Sequence, residues 1–141
     1  MDFYDIDTGL QKDILSLLND HISISTEIIK ADHQLLPMLA LPDSKQLFSL
    51  QPKGEKTDVD KAYASVINKL KTEVFSYALF SYSTKVVLEN GKASDVIKTV
   101  VFTSSGLEFS FFTPYVLKGF FKKSIEIQQT IFGEIKEKFF D

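Results

Sequence analysis

Two histidines, His21 and His33, each follow an aspartate (Asp20 and Asp32), and by type they are the residues best suited to metal ligation or proton transfer. They do not make one site. Twelve residues of helix separate the two rings by ~18 Å and ~120° of rotation, so the imidazoles cannot converge. His21 falls among Ile14, Leu17, Ile24 and Ile28. The expectation is a core histidine, hydrogen-bonded to a backbone or hydroxyl partner, with no metal. His33 reads as a solvated residue beyond the helix end. Gln128, between Ile125 and Phe132, is an amide on an apolar face and needs partners there, either structural or from a ligand. His21, Tyr82 and Gln128 are the polar side chains that apolar surroundings single out, and they define the candidate pocket.

Nucleophile chemistry finds little support. Ser81, Ser83, Thr84, Thr99, Thr103 and Ser110 are frequent in a β-rich stretch, and alternation puts Ser81 and Ser83 on the face of Lys85. That pattern reads as a solvated outer face of a sheet. No Gly-x-Ser-x-Gly elbow occurs, and no serine lies beside a histidine in sequence. The carboxylates are scattered, and no pair stands out for acid–base work. Walker A and Gly-x-Gly-x-x-Gly motifs are missing. No residue is assigned a catalytic role, and no cofactor is implied.

Composition narrows the classes further. The chain has 141 residues and no cysteine, which excludes disulfides, thiolate metal sites and thiol catalysis. Its 16 basic residues are all lysines, and net charge is −3. Arginine is the usual reader of phosphate and guanine, so an acidic chain without it argues against nucleic acid. Met1–Asp7 is acidic and lacks the basic start and apolar run of a signal peptide. No apolar run approaches the ~18 residues of a membrane span. The expectation is a single soluble, cytoplasmic domain over 1–141. At this length roughly 70% of the unfolded surface can be buried, so no staple is needed.

The elements that must carry these residues follow from periodicity. Residues 8–31 place Leu10, Ile14, Leu17, Leu18, Ile24, Ile28 and Ile29 at helical spacing, with Thr8 as a cap. The alternating Ile22–Thr26 stretch competes as a strand, but the longer period prevails. Leu35–Leu41 and Gln46–Gln51 flank Pro42-Asp43-Ser44 as a hairpin. Pro37 places its strand at an edge or leaves it partly paired. Thr57–Asp60 opens a second helix with Val59, Tyr63, Val66, Ile67, Leu70 and Val74 as the buried stripe. Strands follow over Phe75–Leu88, Val96–Thr103 and Leu107–Phe112, with turns at Asn90-Gly91 and Ser104-Ser105-Gly106. Thr113-Pro114 then reads as the cap and first residue of a closing helix. Phe121, Ile125, Ile131, Phe132, Ile135 and Phe139 are its stripe, and Gly119 and Gly133 its interruptions.

The predicted order is α-β-β-α-β-β-β-α, an α+β domain with one antiparallel five-stranded sheet, a hairpin plus a three-strand meander. By topology alone it is similar to the profilin and roadblock scaffolds, a likeness that transfers no function. Thirteen phenylalanines and five tyrosines are the chain's most unusual feature. The apolar face of the predicted closing helix is wider than a helix on a sheet buries, so Phe120, Ile127, Phe139 and Phe140 are the candidate contact surface for a protein partner or a second copy. The reading is a non-enzymatic interaction or binding module. Its alternative is a small-ligand-binding domain or enzyme, with a pocket between the sheet and the terminal helices.

Overall fold

The computed structural model describes residues 3–50, 58–119 and 123–137. After a single 3-10 turn at Phe3–Asp5 the order is α1 (Thr8–Asp32), β1 (Met38–Leu41), β2 (Gln46–Ser49), α2 (Val59–Leu70), β3 (Tyr77–Val87), β4 (Ala93–Thr103), β5 (Glu108–Lys118), β6 (Ser124–Ile127) and β7 (Ile131–Lys136). All strands join one antiparallel sheet in the order β2-β1-β3-β4-β5-β6, with β7 also paired to β5. The sheet curls into a half-barrel.

Each helix takes one face of the sheet because the strands alternate strictly. Leu79, Val101, Phe109 and Phe111 point to α1 and pack with Ile14, Leu18 and Ile22. Phe80, Val100 and Phe102 point the other way, to Ala62, Val66 and Leu70 of α2. The 25 residues of α1 are continuous through Ile22–Thr26, as the longer period requires. Asp7, rather than Thr8, caps the start, accepting from the Leu10 amide at 3.1 Å. His33 ends the helix in the left-handed region at φ 69°, its N–H bonded to the Ile29 carbonyl. In α2, Asp58 caps the start and accepts from Lys61 N–H. The helix stops at Leu70, so Val74 falls outside the stripe and is fully exposed.

The hairpin at 38–49 and the meander from β3 to β5 form as the turn residues predict, with β4 paired on both sides. Strand β1 is not an edge: it lies between β2 and β3. Pro37 precedes it, and its carbonyl accepts the Leu50 amide, so the missing N–H costs the ladder nothing inside β1.

The closing helix does not exist. Strand β5 runs through Thr113-Pro114 to Lys118, and Gly119 at φ 99° turns the chain. Strands β6 and β7 follow and extend the sheet from five strands to seven. The likeness to profilin and roadblock scaffolds rested on that helix and falls with it. Two features explain the strands. Ser124-Ile125-Glu126-Ile127 alternates polar with β-branched apolar residues, and Ile131 and Ile135 continue in kind. Pro114 is tolerated because its carbonyl, and so its nitrogen, faces the break between β6 and β7, where it accepts the Gln128 amide at 2.9 Å. Gly133 is a close approach rather than a helix breaker. A Cβ there would lie 2.7 Å from the Phe112 ring and 3.2 Å from the Ser110 carbonyl, beside the register shift at Ser110/Phe111.

Candidate functional site

The three predicted pocket residues do not meet. His21 lies on the core face of α1, Tyr82 on the α2 face of the sheet, and Gln128 in the turn between β6 and β7, each beside a different hollow. Gln128 is exposed, not on a buried helical face as the helical spacing suggested. Of the predicted contact residues, Phe120, Phe139 and Phe140 lie outside the described residues. Ile127 stands partly exposed on β6, opposite Tyr115.

His21 is 3% exposed, and its Nε2 shares a 2.7 Å hydrogen bond with Ser81 Oγ, a residue 60 positions away. Ser25 Oγ donates to the His21 carbonyl at 2.8 Å. Ser81 is wholly buried, as is its cross-strand neighbour Thr99, and Ser83 donates to and accepts from Leu35 backbone groups. The expected solvated face at Ser81 and Ser83 is therefore the underside of α1. Alternation identified the shared face correctly. It could not say that a 25-residue helix would cover it.

A histidine bonded to a serine is the pairing that nucleophilic hydrolases use, and here the geometry works against that chemistry. Neither polar atom has the access a substrate needs, and Ser81 does not line the adjoining hollow. Burial pulls the imidazole down from 6.5 to about 4, which makes it a weak base. The pair is a satisfied core contact that fixes α1 over β3.

Beside it lies an apolar groove of about 300 Å³ between α1 and the β1–β2 hairpin. Leu17 and Ile24 form the helical wall, Leu41, Pro42 and Leu47 the opposite one, and Ala40 and Leu79 the floor. His21 closes the inner end, and Asp20, Lys45 and Gln46 make a polar rim. The groove exists because Ala40 is small: it pairs with Leu47 on one side and Leu79 on the other, and leaves the space of a larger side chain beneath α1. Ile24 and Leu47, 46% and 51% exposed, stand at its lips. The sequence placed Ile24 in the buried stripe. Buried Ser25 and Thr26 take the core-facing positions instead, which turns Ile24 outward. Strand β2, the outer wall, has β1 as its only strand partner among the described residues. The Leu50 amide bonds Pro37, so by alternation Phe48 and Gln46 bond β1, while Leu47 turns its N–H and C=O away from the sheet.

On the opposite face a second hollow of about 310 Å³ opens between α2 and strands β3, β4, β5 and β7. Glu108 sits at its base, 2% exposed, accepting a hydrogen bond from Tyr63 O–H at Oε1, with Lys136 Nζ 3.5 Å from Oε2. Burial, then the bond to Glu108, raises the Tyr63 hydroxyl well above its ordinary value. Burial, then the charge of Asp60, also raises the Tyr82 hydroxyl above its ordinary value. Among the described residues no three His, Asp or Glu side chains cluster as a metal site, and no helix is long and apolar enough to cross a membrane.

Comparison of the chain with protein-family models, with curated proteins and with solved structures gives no match.

Proposed function

We propose that the protein is a non-enzymatic binding module that captures an extended, apolar segment of a protein partner in the groove between α1 and β2. One observation carries the reading: two exposed apolar side chains, Ile24 and Leu47, face each other across a concave apolar trough beside an edge strand. Exposed apolar residues scattered singly need no explanation, whereas a concave, contiguous set does. The adjoining edge backbone suits β-strand addition, in which main-chain hydrogen bonds give affinity and a pocket for an alternate side chain gives specificity. The polar rim of Asp20, Lys45 and Gln46 around an apolar centre has the anatomy of a small interface.

The test fills the groove from below. Ala40→Leu places three more carbons on its floor, opposite Leu47. Peptides selected from a random library against the wild type should carry a leucine, isoleucine or phenylalanine anchor. The variant should bind them at least ~10-fold more weakly, because one anchor side chain is worth about 1.5–3 kcal/mol. Unaltered affinity in a folded Ala40→Leu protein sinks the reading.

A further inference from the structure

The groove under α1 has an axis, and the charges on its rim lie towards opposite ends of it. Tyr77 O–H donates to Asp13 and Ser81 Oγ bonds His21, so α1 and β3 run side by side in the same direction. The Ser81 rung of the sheet continues through Met38 to Ser49, and the Leu79 rung through Ala40 to Leu47. Asp20, next to His21, therefore stands level with Ser49. Lys45 lies two residues to the other side of Leu47. Both charges line the groove and are exposed, and neither forms an ion pair with a described residue. Asp13 and Asp43, the carboxylates at the Lys45 end, accept from Tyr77 O–H and the Ser76 amide and do not line the groove. An exposed charge is solvated and asks for nothing by itself. A negative end and a positive end on one apolar trough give that trough a direction.

The edge strand supplies the frame. Leu47 turns both its N–H and its C=O outward, and the Lys45 N–H is spent on the Pro42 carbonyl at 3.1 Å. An edge this short suits an antiparallel segment, in which both outward groups of Leu47 meet a single residue; a parallel segment would split them between two. The residue opposite Leu47 points, like Leu47, to the α1 side. Its N-terminal neighbour falls opposite Phe48 and points to the α2 side. That pair shares no hydrogen bonds, so its Cα atoms approach to about 4.5 Å and its side chains touch. Phe48 is half-buried against the α2 core, with Lys69 Nζ 4.2 Å from its ring centroid. An aromatic side chain packs well on such a ring. Two residues before the anchor the captured chain passes between Ser49 and Asp20, and two residues after it reaches Lys45.

Resting on the capture of an extended segment proposed above, we infer that this segment runs antiparallel to β2 and carries the pattern basic, aromatic, aliphatic, any residue, acidic. The aliphatic anchor enters the groove between Ile24 and Leu47, over Ala40. The aromatic residue lies on Phe48, the basic one meets Asp20, and the acidic one meets Lys45. The two apolar contacts supply most of the affinity, and the rim charges choose among segments with the same anchors.

The experiment compares two labelled peptides by fluorescence anisotropy, one with the core Lys-Phe-Leu-Thr-Glu and one with the core Glu-Phe-Leu-Thr-Lys. Composition and anchors are the same, and only the charged ends are exchanged. The wild type should prefer the first by at least ~5-fold, because reversal turns two exposed attractions into two repulsions. In about 1 M salt the preference should shrink toward parity. The double variant Asp20→Lys/Lys45→Asp keeps the net charge and should prefer the second peptide. Asp20→Asn, which decides if the double variant fails to fold, should lower the wild-type preference by at least ~2-fold. Equal binding of the two peptides, or a preference that neither variant changes, overturns the inference and leaves the groove reading to the Ala40→Leu test. So does binding of library-selected peptides by a protein that takes neither of these two. If no peptide of any sequence binds, the groove reading falls and the inference with it. A wild type that sediments as a dimer, with the Leu47 amide slow to exchange before any peptide is added, puts a second copy at this edge and overturns the inference too.

Discussion

Replacing His21 by leucine sets two contributions against each other, and pH decides which dominates. At neutral pH the imidazole is uncharged and bonded to Ser81 Oγ at 2.7 Å. Leucine fills much of the same volume but leaves the serine hydroxyl buried without its partner, at a cost of about 1–2 kcal/mol. Acid reverses the order. Burial holds the folded-state imidazole at about 4 against an ordinary 6.5. Above 6.5 neither state is protonated, and this group adds no pH dependence. Between 6.5 and about 4 the unfolded chain binds a proton that the folded chain refuses, so the wild type loses stability as pH falls through that window. The full loss is about 3 kcal/mol. His21→Leu cannot lose it, and the carboxylates titrate alike in both proteins, so the difference isolates the histidine. Urea denaturation should show the variant less stable by about 1–2 kcal/mol near pH 7.5 and more stable by about 1 kcal/mol near pH 4.5. A difference that stays constant with pH refutes the buried, neutral imidazole.

Other perturbations probe the packing. Gly133→Ala drives a Cβ against the Phe112 ring and the Ser110 carbonyl, and should cost about 1–3 kcal/mol in thermal or urea unfolding; a neutral result means β7 does not approach β5 as described. Tyr63→Phe removes the hydroxyl that donates to buried Glu108, and should cost about 1.5–3 kcal/mol in urea denaturation near neutral pH. Val74→Lys changes a fully exposed side chain, and its unfolding midpoint should stay within ~0.5 kcal/mol of the wild type in stability terms. A large loss there places Val74 back in the core stripe of α2.

Much of the architecture was legible because the period and the turn chemistry agreed. Helices α1 and α2, the 38–49 hairpin and the β3–β5 meander all carry both signals. The C-terminal third misled for a physical reason. Ile125, Phe132, Ile135 and Phe139 fall at helical spacing, and Thr113-Pro114 is a good helix start. Yet Ser124–Ile127 alternates polar with β-branched residues, Ile131 and Ile135 are β-branched as well, and β5 offered an open edge for both segments to pair with. Tertiary pairing decided between two local patterns of similar strength. The candidate sites were less legible still. His21 and Tyr82 stood out as polar residues in apolar segments, and each does border a hollow. The groove depends on the small size of Ala40, and the second hollow on a buried Glu108. Neither residue is unusual in sequence, and only pairing across strands gives them their places.

The amide of Leu47 reports most directly on the proposed capture of an extended segment. It lies on β2, turned away from β1, at the lip of the groove. Hydrogen exchange by NMR should find it fast in the free protein and slowed at least ~100-fold once a selected apolar-anchored peptide is bound, while the already paired Phe48 amide changes little. A peptide that binds saturably yet leaves the Leu47 amide exchanging as fast as before contradicts strand addition at this edge and the function proposed from it.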